Sequence, residues 1–214
     1  MSQRLARLDS IVFDLDGTLW DTCSSCAIGW NNVARRHAIA FREITADDVR
    51  SVTGRPHVAC IREIFVGLPE EHLALLAEET QDEDMRIINE RGGLIFPGVA
   101  EGLERLAARF PLFIVSNCQS GYIETFFDLT GFGPLFRDHE CWGNTGWSKT
   151  ENLRTVIARN GLSTPLFVGD TVGDEKAAMD NDVPFAFASY GFGKCSNMIL
   201  TLDTFQQLAD LLVG

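Results

Sequence analysis

Short apolar runs bounded by Pro, Gly or polar residues recur along the chain and restrict its fold more than any other feature. They lie at residues 10–13, 112–116, 166–169 and 185–188. Runs of this length and composition are typical of strands buried on both faces of a parallel sheet. Residues 99–109 and 153–160, which lie between these runs, carry apolar side chains at helical spacing instead. The alternation predicts an α/β fold, with a Rossmann-like parallel sheet sandwiched between helices.

Residues 21–92 follow a different pattern. Their apolar side chains recur at the spacing of a helix, as at Trp30, Val33 and Ala34, and no run in this interval is typical of a strand. We therefore expect an α/β core domain made of residues 1–20 and 93–214. An all-helical domain of residues 21–92 is expected to be inserted between the first and second core strands.

Composition and charge exclude several classes of protein. The chain has 214 residues, of which 45% are hydrophobic, so it can bury a full core without disulfides. No apolar run reaches the roughly 18 to 20 residues that cross a bilayer, and the N-terminal residues lack a signal-peptide pattern. We expect a cytoplasmic protein that binds no membrane and is a monomer or a weak dimer.

The formal net charge is −12, and the chain has no dense run of Lys and Arg. Nucleic acid is therefore not an expected partner, because binding to its phosphate backbone requires clustered positive charge. The same negative charge repels small phosphorylated metabolites. A site for such a substrate must therefore gather positive charge locally, from a metal ion, a lysine or the N-terminus of a helix.

The cysteines and histidines suggest no complete metal site. The six cysteines are interpreted as reduced thiols, because a chain with a large core needs no disulfide framework. Cys23 and Cys26 form a single C-x-x-C pair, for which a redox or metal-binding role stays open. Cys118 is either a reactive thiol or a small packed residue. The histidines are isolated and are interpreted as surface or half-buried residues.

Polar side chains that carry chemistry follow the predicted strands. They are Asp14, Asp16, Ser116, Asn117, Lys149, Asp170 and Asp174. Because the carboxyl ends of parallel strands meet at one edge of a sheet, these side chains are expected to share one crevice. Converging carboxylates repel one another unless a cation is present, and oxygen-only ligands suit Mg²⁺. Together with a lysine and hydrogen-bond donors, such a set is suited to phosphoryl transfer.

Four segments in this order resemble the motifs of the haloacid dehalogenase superfamily. They are Asp14-Leu-Asp-Gly-Thr18, Ser116-Asn117, Lys149, and Gly169-Asp170-Thr-Val-Gly-Asp174. The resemblance spans essentially the whole chain, and the segment at residues 21–92 is similar to the small helical cap of this family. It implies a phosphatase that hydrolyses a small phosphorylated metabolite with Mg²⁺ as its cofactor.

The resemblance also implies roles for individual residues. Asp14 would be the nucleophile that forms an aspartyl-phosphate, and Asp16 the acid/base that protonates the leaving group. The metal would be held by the Asp14 side chain, the Asp16 backbone carbonyl and Asp170, with Asp174 acting through water or as a support. Lys149 would supply positive charge. The residues implied to hold phosphate or to orient the nucleophile are Thr18, Ser116 and Asn117.

Substrate identity stays open at this point. Arg55 lies in the helical segment, where relatives contact their substrates. An arginine before proline is equally typical of an exposed turn. If Arg55 faces the substrate, its guanidinium could pair with the carboxylate of phosphoglycolate or with sugar hydroxyls. Phosphoglycolate phosphatase-like enzymes are the nearest comparison, although they commonly have proline where Thr150 follows Lys149.

Other activities of the superfamily fit less well. Dehalogenase relatives lack the aspartate found here as Asp16, and phosphonatase relatives use a cap lysine that residues 21–91 do not contain. A β-phosphoglucomutase-like phosphotransferase is a closer alternative, but its relatives usually have Glu-Asp at Gly169-Asp170 and a histidine near Cys26. A non-catalytic Mg²⁺-binding regulatory protein is the remaining alternative.

Overall fold

A six-stranded sheet forms the centre of the protein. The computed structural model describes residues 7–214, so the first six residues of the predicted core domain lie outside the described residues. The strands of the sheet are β1 (Ser10–Phe13), β4 (Leu112–Ser116), β5 (Phe136–Cys141), β6 (Pro165–Gly169), β7 (Phe185–Ala188) and β8 (Leu200–Leu202). Their spatial order is β5-β4-β1-β6-β7-β8, and all neighbours run parallel. This confirms the predicted Rossmann-like parallel sheet.

Helices cover both faces of the sheet. One face packs against α5 (Val99–Ala107), α6 (Tyr122–Thr130) and α10 (Phe205–Val213), and the other packs against α8 (Lys149–Asn160) and α9 (Val172–Asp180). Successive residues of β1 alternate between the two cores, with Phe13 in the first and Val12 in the second. The short helix α7 (Trp142–Thr145) leads into α8, and a 3-10 turn (Gly133–Leu135) precedes β5.

The two outer strands are absent from the sequence prediction. Strand β5 contains Arg137, Asp138 and Glu140, and these charged residues hide the apolar signal of a strand. An outer strand tolerates them because one of its sides has no neighbouring strand and solvent reaches its charges. Strand β8 has only three residues, which is too short for an alternating pattern to emerge.

Four helices connect β2 (Trp20–Asp21) with β3 (Leu94–Ile95), which pair as a short antiparallel ribbon. They are α1 (Cys23–Arg36), α2 (Ala46–Val52), α3 (His57–Ile64) and α4 (Glu70–Arg91), and together they are called the helical insert below. The insert has its own apolar cluster, which includes Trp30, Val33, Phe65 and Leu76. The division of the chain at residues 21 and 92 stays a prediction. Within residues 7–214, no helix is both long and apolar enough to cross a membrane.

The C-terminal helix α10 closes one face of the core through Phe205. This ring is 1% exposed and stacks on Phe13, with the ring centroids 5.8 Å apart. Leu211 lies on the same helix, but its side chain is 49% exposed. The two positions therefore form a buried and exposed pair on one helix.

We expect Phe205→Ala to lower the free energy of unfolding by about 3 to 5 kcal/mol, because it removes a buried ring and leaves a cavity. Leu211→Ala, the matched control, should cost less than about 1 kcal/mol. Urea unfolding of both variants, compared with the unsubstituted chain, measures the two values. Similar losses for both would show that α10 does not contribute to the core through Phe205.

Candidate active site

The three central strands place the predicted residues at one edge of the sheet. Asp14 directly follows β1, Ser116 ends β4 and Asp170 directly follows β6, and β1 lies between the other two strands. All three side chains are buried. Since the strands run parallel, their carboxyl ends open into the same crevice, as the sequence predicts.

Lys149 joins this group from the first turn of α8. Its Nζ lies 2.7 Å from Asp14 Oδ1 and 2.6 Å from Asp174 Oδ1, and its side chain is only 4% exposed. Burial alone would lower the pKa of Lys149, but the facing carboxylates raise it above its ordinary value. The lysine is therefore a fixed positive charge beside the predicted nucleophile.

Asp174 holds Lys149 and the turn between β6 and α9. Besides the contact of Oδ1 with Lys149, its Oδ2 accepts hydrogen bonds from the backbone N–H of Thr171 at 2.9 Å, the hydroxyl of Thr171 at 2.7 Å and the N–H of Asp170 at 3.2 Å. Both carboxylate oxygens thus have partners within the protein. A direct metal contact by Asp174 would have to share an oxygen that already binds Lys149 or the turn at Thr171.

The other buried carboxylates of the site have oxygens without a hydrogen-bond partner. Carboxylate oxygens of Asp14, Asp170 and Asp174 lie within 4.8 Å of one another. Asp14 Oδ2 and Asp170 Oδ1 are buried and have no hydrogen-bond partner. Burial, together with the nearby charge of Asp174, raises the pKa of Asp170 to about 7 and that of Asp14 well above its ordinary value. A hard divalent cation between these oxygens would offset the repulsion, so the residues present fit Mg²⁺.

A loop that the sequence analysis did not single out completes the surroundings of Asp170. The backbone N–H of Phe192 donates a hydrogen bond of 2.7 Å to Asp170 Oδ2. Gly17, at φ +82°, leaves room for the carboxylate of Asp170, because a Cβ at this position would lie 2.3 Å from Asp170 Oδ2. The run Gly191-Phe-Gly193 after β7 was the signal in the sequence that could have identified this loop.

Asp16 has a separate set of partners. Its Oδ1 accepts a hydrogen bond of 2.6 Å from the hydroxyl of Tyr122, which lies 2.6 Å from the hydroxyl of Thr22. Burial raises the pKa of Asp16 to about 6, while the bond from Tyr122 lowers it. Tyr122, the first residue of α6, is a site residue that the sequence analysis missed. Its position shortly after Ser116-Asn117 was the available signal.

A cavity lies between this edge of the sheet and the helical insert. Asp14, Asp16, Ser116 and Asn117 are among the core residues that line it. The side-chain amide of Asn117 donates a hydrogen bond of 2.8 Å to the backbone carbonyl of Gly54 in the insert. This bond joins the two walls directly.

Two predicted residues take other positions. Arg55 lines the cavity from the insert, but its guanidinium forms an ion pair with Glu63, and both side chains are 50% exposed. Thr18 is fully buried and is not among the cavity-lining residues. Its hydroxyl has no hydrogen-bond partner, and its backbone carbonyl accepts a bond from Tyr190. The predicted phosphate contact of Thr18 stays a prediction.

The family of the chain follows from comparison with known proteins. Residues 11–188, most of the chain, match the model of the haloacid dehalogenase-like hydrolases. The chain belongs to this family. A putative haloacid dehalogenase-like hydrolase from Bacteroides fragilis has the same fold, with a TM-score of 0.82 and 21% identity over 94% of this chain and all of that one.

Similar curated proteins are phosphatases. Phosphoglycolate phosphatase of Caulobacter vibrioides is 27% identical over 193 residues, which cover 86% of this chain and 80% of that protein. Hexitol phosphatase A of Escherichia coli K12 is 32% identical over 112 residues, or 52% of this chain, and the match spans about half of that enzyme's length. Together with the family match, they confirm the prediction of a phosphatase of the haloacid dehalogenase superfamily.

The insert of this haloacid dehalogenase-like hydrolase also presents buried polar groups to the cavity. Asp84 and His57 line it, although the histidines were expected at the surface or half-buried. His57 Nε2 lies 2.7 Å from the Thr80 hydroxyl, which donates its own proton to the Leu76 carbonyl. The Thr80 oxygen must therefore accept from His57, which fixes the proton of the neutral imidazole on Nε2.

The cysteines near the cavity are protonated thiols. Burial raises the pKa of Cys23, Cys26 and Cys118 above the ordinary value, and nearby carboxylates raise that of Cys23 and Cys26 further. A thiol with a raised pKa is a poor nucleophile and a poor metal ligand at neutral pH. This arrangement gives no support to a redox or metal-binding role for the C-x-x-C pair.

The buried state of His57 predicts a sensitivity to acid. Burial lowers its pKa to about 4, whereas a histidine in the unfolded chain titrates near 6.5. Its contribution to stability is therefore complete above about pH 6.5 and is lost as pH falls toward 4. The free energy lost by pH 4 should be about 3 kcal/mol, since the two pKa values differ by about 2.5 units and one unit corresponds to about 1.4 kcal/mol.

His57→Gln should remove this part of the pH dependence while keeping a donor for Thr80. The free energy of unfolding of the two proteins, measured by urea at pH values from 8 to 4, should fall less with acidification in the variant than in the unsubstituted chain. Parallel curves for the variant and the unsubstituted chain would mean that His57 does not stay neutral in the folded protein.

Proposed function

We propose that this enzyme is a Mg²⁺-dependent phosphatase that hydrolyses a small phosphorylated metabolite through an aspartyl-phosphate on Asp14. The observation that carries the proposal is the position of Asp14. Its carboxylate lies in the wall of the cavity, has Lys149 at one oxygen and leaves the other without a partner. A carboxylate needs no separate base to act as a nucleophile once positive charge offsets its burial.

Hydrolysis would proceed in two steps on the core residues. In the first, Asp14 attacks the phosphorus atom, the bond to the alcohol oxygen breaks, and Asp16 donates a proton to that oxygen. A pKa of about 6 suits this role, since part of Asp16 is protonated near neutral pH. In the second step, the ionised Asp16 takes a proton from the water that attacks phosphorus, the bond from phosphorus to Asp14 breaks, and inorganic phosphate leaves. Tyr122 holds Asp16 in position for both steps.

The metal ion would be held by Asp14, Asp170 and, as the family resemblance implies, the backbone carbonyl of Asp16. When bound, Mg²⁺ neutralises charge on the phosphoryl group and orients it toward the nucleophile. Lys149 adds a positive charge at Asp14 Oδ1. Ser116 and Asn117 are proposed to donate hydrogen bonds to phosphoryl oxygens. The side-chain amide of Asn117 has two N–H groups, of which one already bonds the Gly54 carbonyl.

One contact weighs against the phosphotransferase alternative. A Cβ at Gly169 would lie 2.5 Å from the side chain of Asp174, which already holds Lys149. The glutamate usual at this position in β-phosphoglucomutase relatives would therefore require Asp174 to move. The names of the similar proteins support hydrolysis as well, and they suggest phosphoglycolate or a hexitol phosphate as classes of substrate.

Metal dependence provides a test with two independent measurements. Activity toward p-nitrophenyl phosphate should require Mg²⁺ and disappear in excess EDTA. Mg²⁺ at about 100 times its Kd should also raise the free energy of unfolding by about 2.7 kcal/mol. Asp170→Asn should lose both effects, whereas Asp180→Asn, an exposed change at the end of α9, should keep them. Full activity in EDTA would exclude the proposed cofactor.

The assigned roles of the two aspartates predict different defects. Asp14→Asn should abolish turnover, because the amide cannot form the covalent intermediate. Asp16→Asn should slow turnover by about 10²- to 10⁴-fold through loss of proton transfer. Mass spectrometry after an acid quench should show a phosphoryl group on Asp14 in the Asp16 variant and none in the Asp14 variant. Near-normal turnover by Asp14→Asn would identify a different nucleophile.

A further inference from the structure

Asp84 stands out among the residues of the insert that line the cavity. It lies on α4, is 2% exposed, and its Oδ2 accepts a hydrogen bond of 2.9 Å from the indole N–H of Trp30. Its Oδ1 is buried and has no hydrogen-bond partner. Leaving a buried polar atom without a partner is costly, so a residue of this kind beside a cavity calls for a ligand.

The groups around Asp84 are polar and uncharged. Burial raises the pKa of its carboxyl well above the ordinary value, so burial favours the uncharged form of this group. His57 presents its unprotonated Nδ1 at 3.8 Å from Asp84 Oδ2, and burial keeps this imidazole neutral as well. Oδ2 is bound to Trp30, and Oδ1 has no hydrogen-bond partner. Oδ1 lies against Gly29 of α1, where a Cβ would be only 2.6 Å away, and the Cys26 thiol lies beside the carboxyl. A ligand hydroxyl would therefore have to reach the carboxyl from the cavity side, past Cys26.

Positive charge on this side of the cavity is already paired. Among the described residues that line the cavity, Arg55 is the only arginine or lysine, and its guanidinium contacts Glu63. A substrate carboxylate placed beside Asp84 would therefore be buried without a counter-charge, which is strongly unfavourable. A hydroxyl group could donate to or accept from the carboxyl without burying any charge.

The position of Asp84 fits the part of the substrate that leaves. Asp16, the proposed proton donor to the leaving oxygen, binds Tyr122, and Tyr122 contacts Thr22. Thr22 lies 3.8 Å from the thiol of Cys26, which lies beside Asp84. This series of contacts connects Asp16 to Asp84 along one wall of the cavity. A substrate whose leaving oxygen is at Asp16 would therefore place its alcohol part along this wall.

We infer that Asp84 binds a hydroxyl group on the alcohol part of the substrate, and that the enzyme prefers sugar or polyol phosphates to carboxylate-bearing esters such as phosphoglycolate. Asp84 is then a residue that determines specificity, and it takes no part in phosphoryl transfer. The inference rests on the proposed phosphatase function and narrows its class of substrate.

Two matched pairs of substrates test the preference. Phosphoglycolate and 2-hydroxyethyl phosphate differ only in a carboxylate or a CH₂OH group, and so do 6-phosphogluconate and sorbitol 6-phosphate. In at least one pair, kcat/KM for the hydroxyl member should exceed that for the carboxylate member by about 10- to 100-fold. Equal or lower kcat/KM for the hydroxyl member in both pairs would overturn the inference. A carboxylate preference that is lost on Arg55→Ala would then assign recognition to Arg55.

Variants of Asp84 then test which residue produces the preference. Asp84→Ala should remove most of it while keeping activity toward p-nitrophenyl phosphate, which has no further hydroxyl. Asp84→Asn should retain most of it, because an amide still accepts from Trp30 and offers a donor to the cavity. Glu83→Gln, on the adjacent position of α4 and bound by Arg86, is the matched control and should change neither. Equal losses on all substrates in Asp84→Ala and Asp84→Asn would show that Asp84 only supports the fold.

Binding to a turnover-deficient form separates the inference from the proposed function. Calorimetric titration of Asp14→Asn with sorbitol 6-phosphate and with 6-phosphogluconate should show tighter binding of the hydroxyl ester, and Asp84→Ala in that background should remove the difference. If the unsubstituted chain hydrolyses no phosphate ester but this difference is found, the phosphatase proposal fails and the inference about Asp84 stands. Equal affinity for the two esters would overturn the inference even in an active phosphatase.

Discussion

The ion pairs of Lys149 are the interaction on which the active-site architecture depends. One ammonium group lies between Asp14 and Asp174, so it joins the end of β1, the start of α8 and the start of α9. Burying several carboxylates this closely is unfavourable unless positive charge is fixed among them. The lysine provides that charge and leaves oxygens of Asp14 and Asp170 free to meet a metal ion and a substrate.

The cavity has walls of contrasting electrostatic character. The core wall carries formal charges on Lys149 and the aspartates around it, as expected where a charged phosphoryl group must be bound and transferred. The insert wall contains Asp84 and His57, and burial favours the uncharged form of each. Such a division would let the core treat every phosphate ester alike while the insert distinguishes the alcohols. The proposed phosphoryl transfer would then take place at the ends of the core strands. The proposed recognition of the alcohol would lie on the insert, which the β2–β3 ribbon joins to the core.

Much of the fold was accessible from local patterns. The central strands were predictable because a strand buried on both faces must be apolar at nearly every residue, and the motif at Asp14 identified where the first one ends. The outer strand β5 was not, since its charged residues are tolerated only where a sheet has no further neighbour. Asp84 gave no local signal either, because a lone aspartate on a helix looks like an ordinary half-buried residue. Tyr122 was marked only by its position shortly after Ser116-Asn117.

The sequence by itself determined the order of the core motifs, and with it the family, the parallel sheet and the carboxylates at its edge. The tertiary structure decided how each group is used. In the structure, both carboxylate oxygens of Asp174 bind other groups of the protein, and Arg55 is paired with Glu63. Asp84, which lines the cavity, has one buried oxygen without a hydrogen-bond partner. The reason is physical: partners, burial and pKa depend on residues distant in sequence, and these are fixed only when the helices of the insert pack over the sheet.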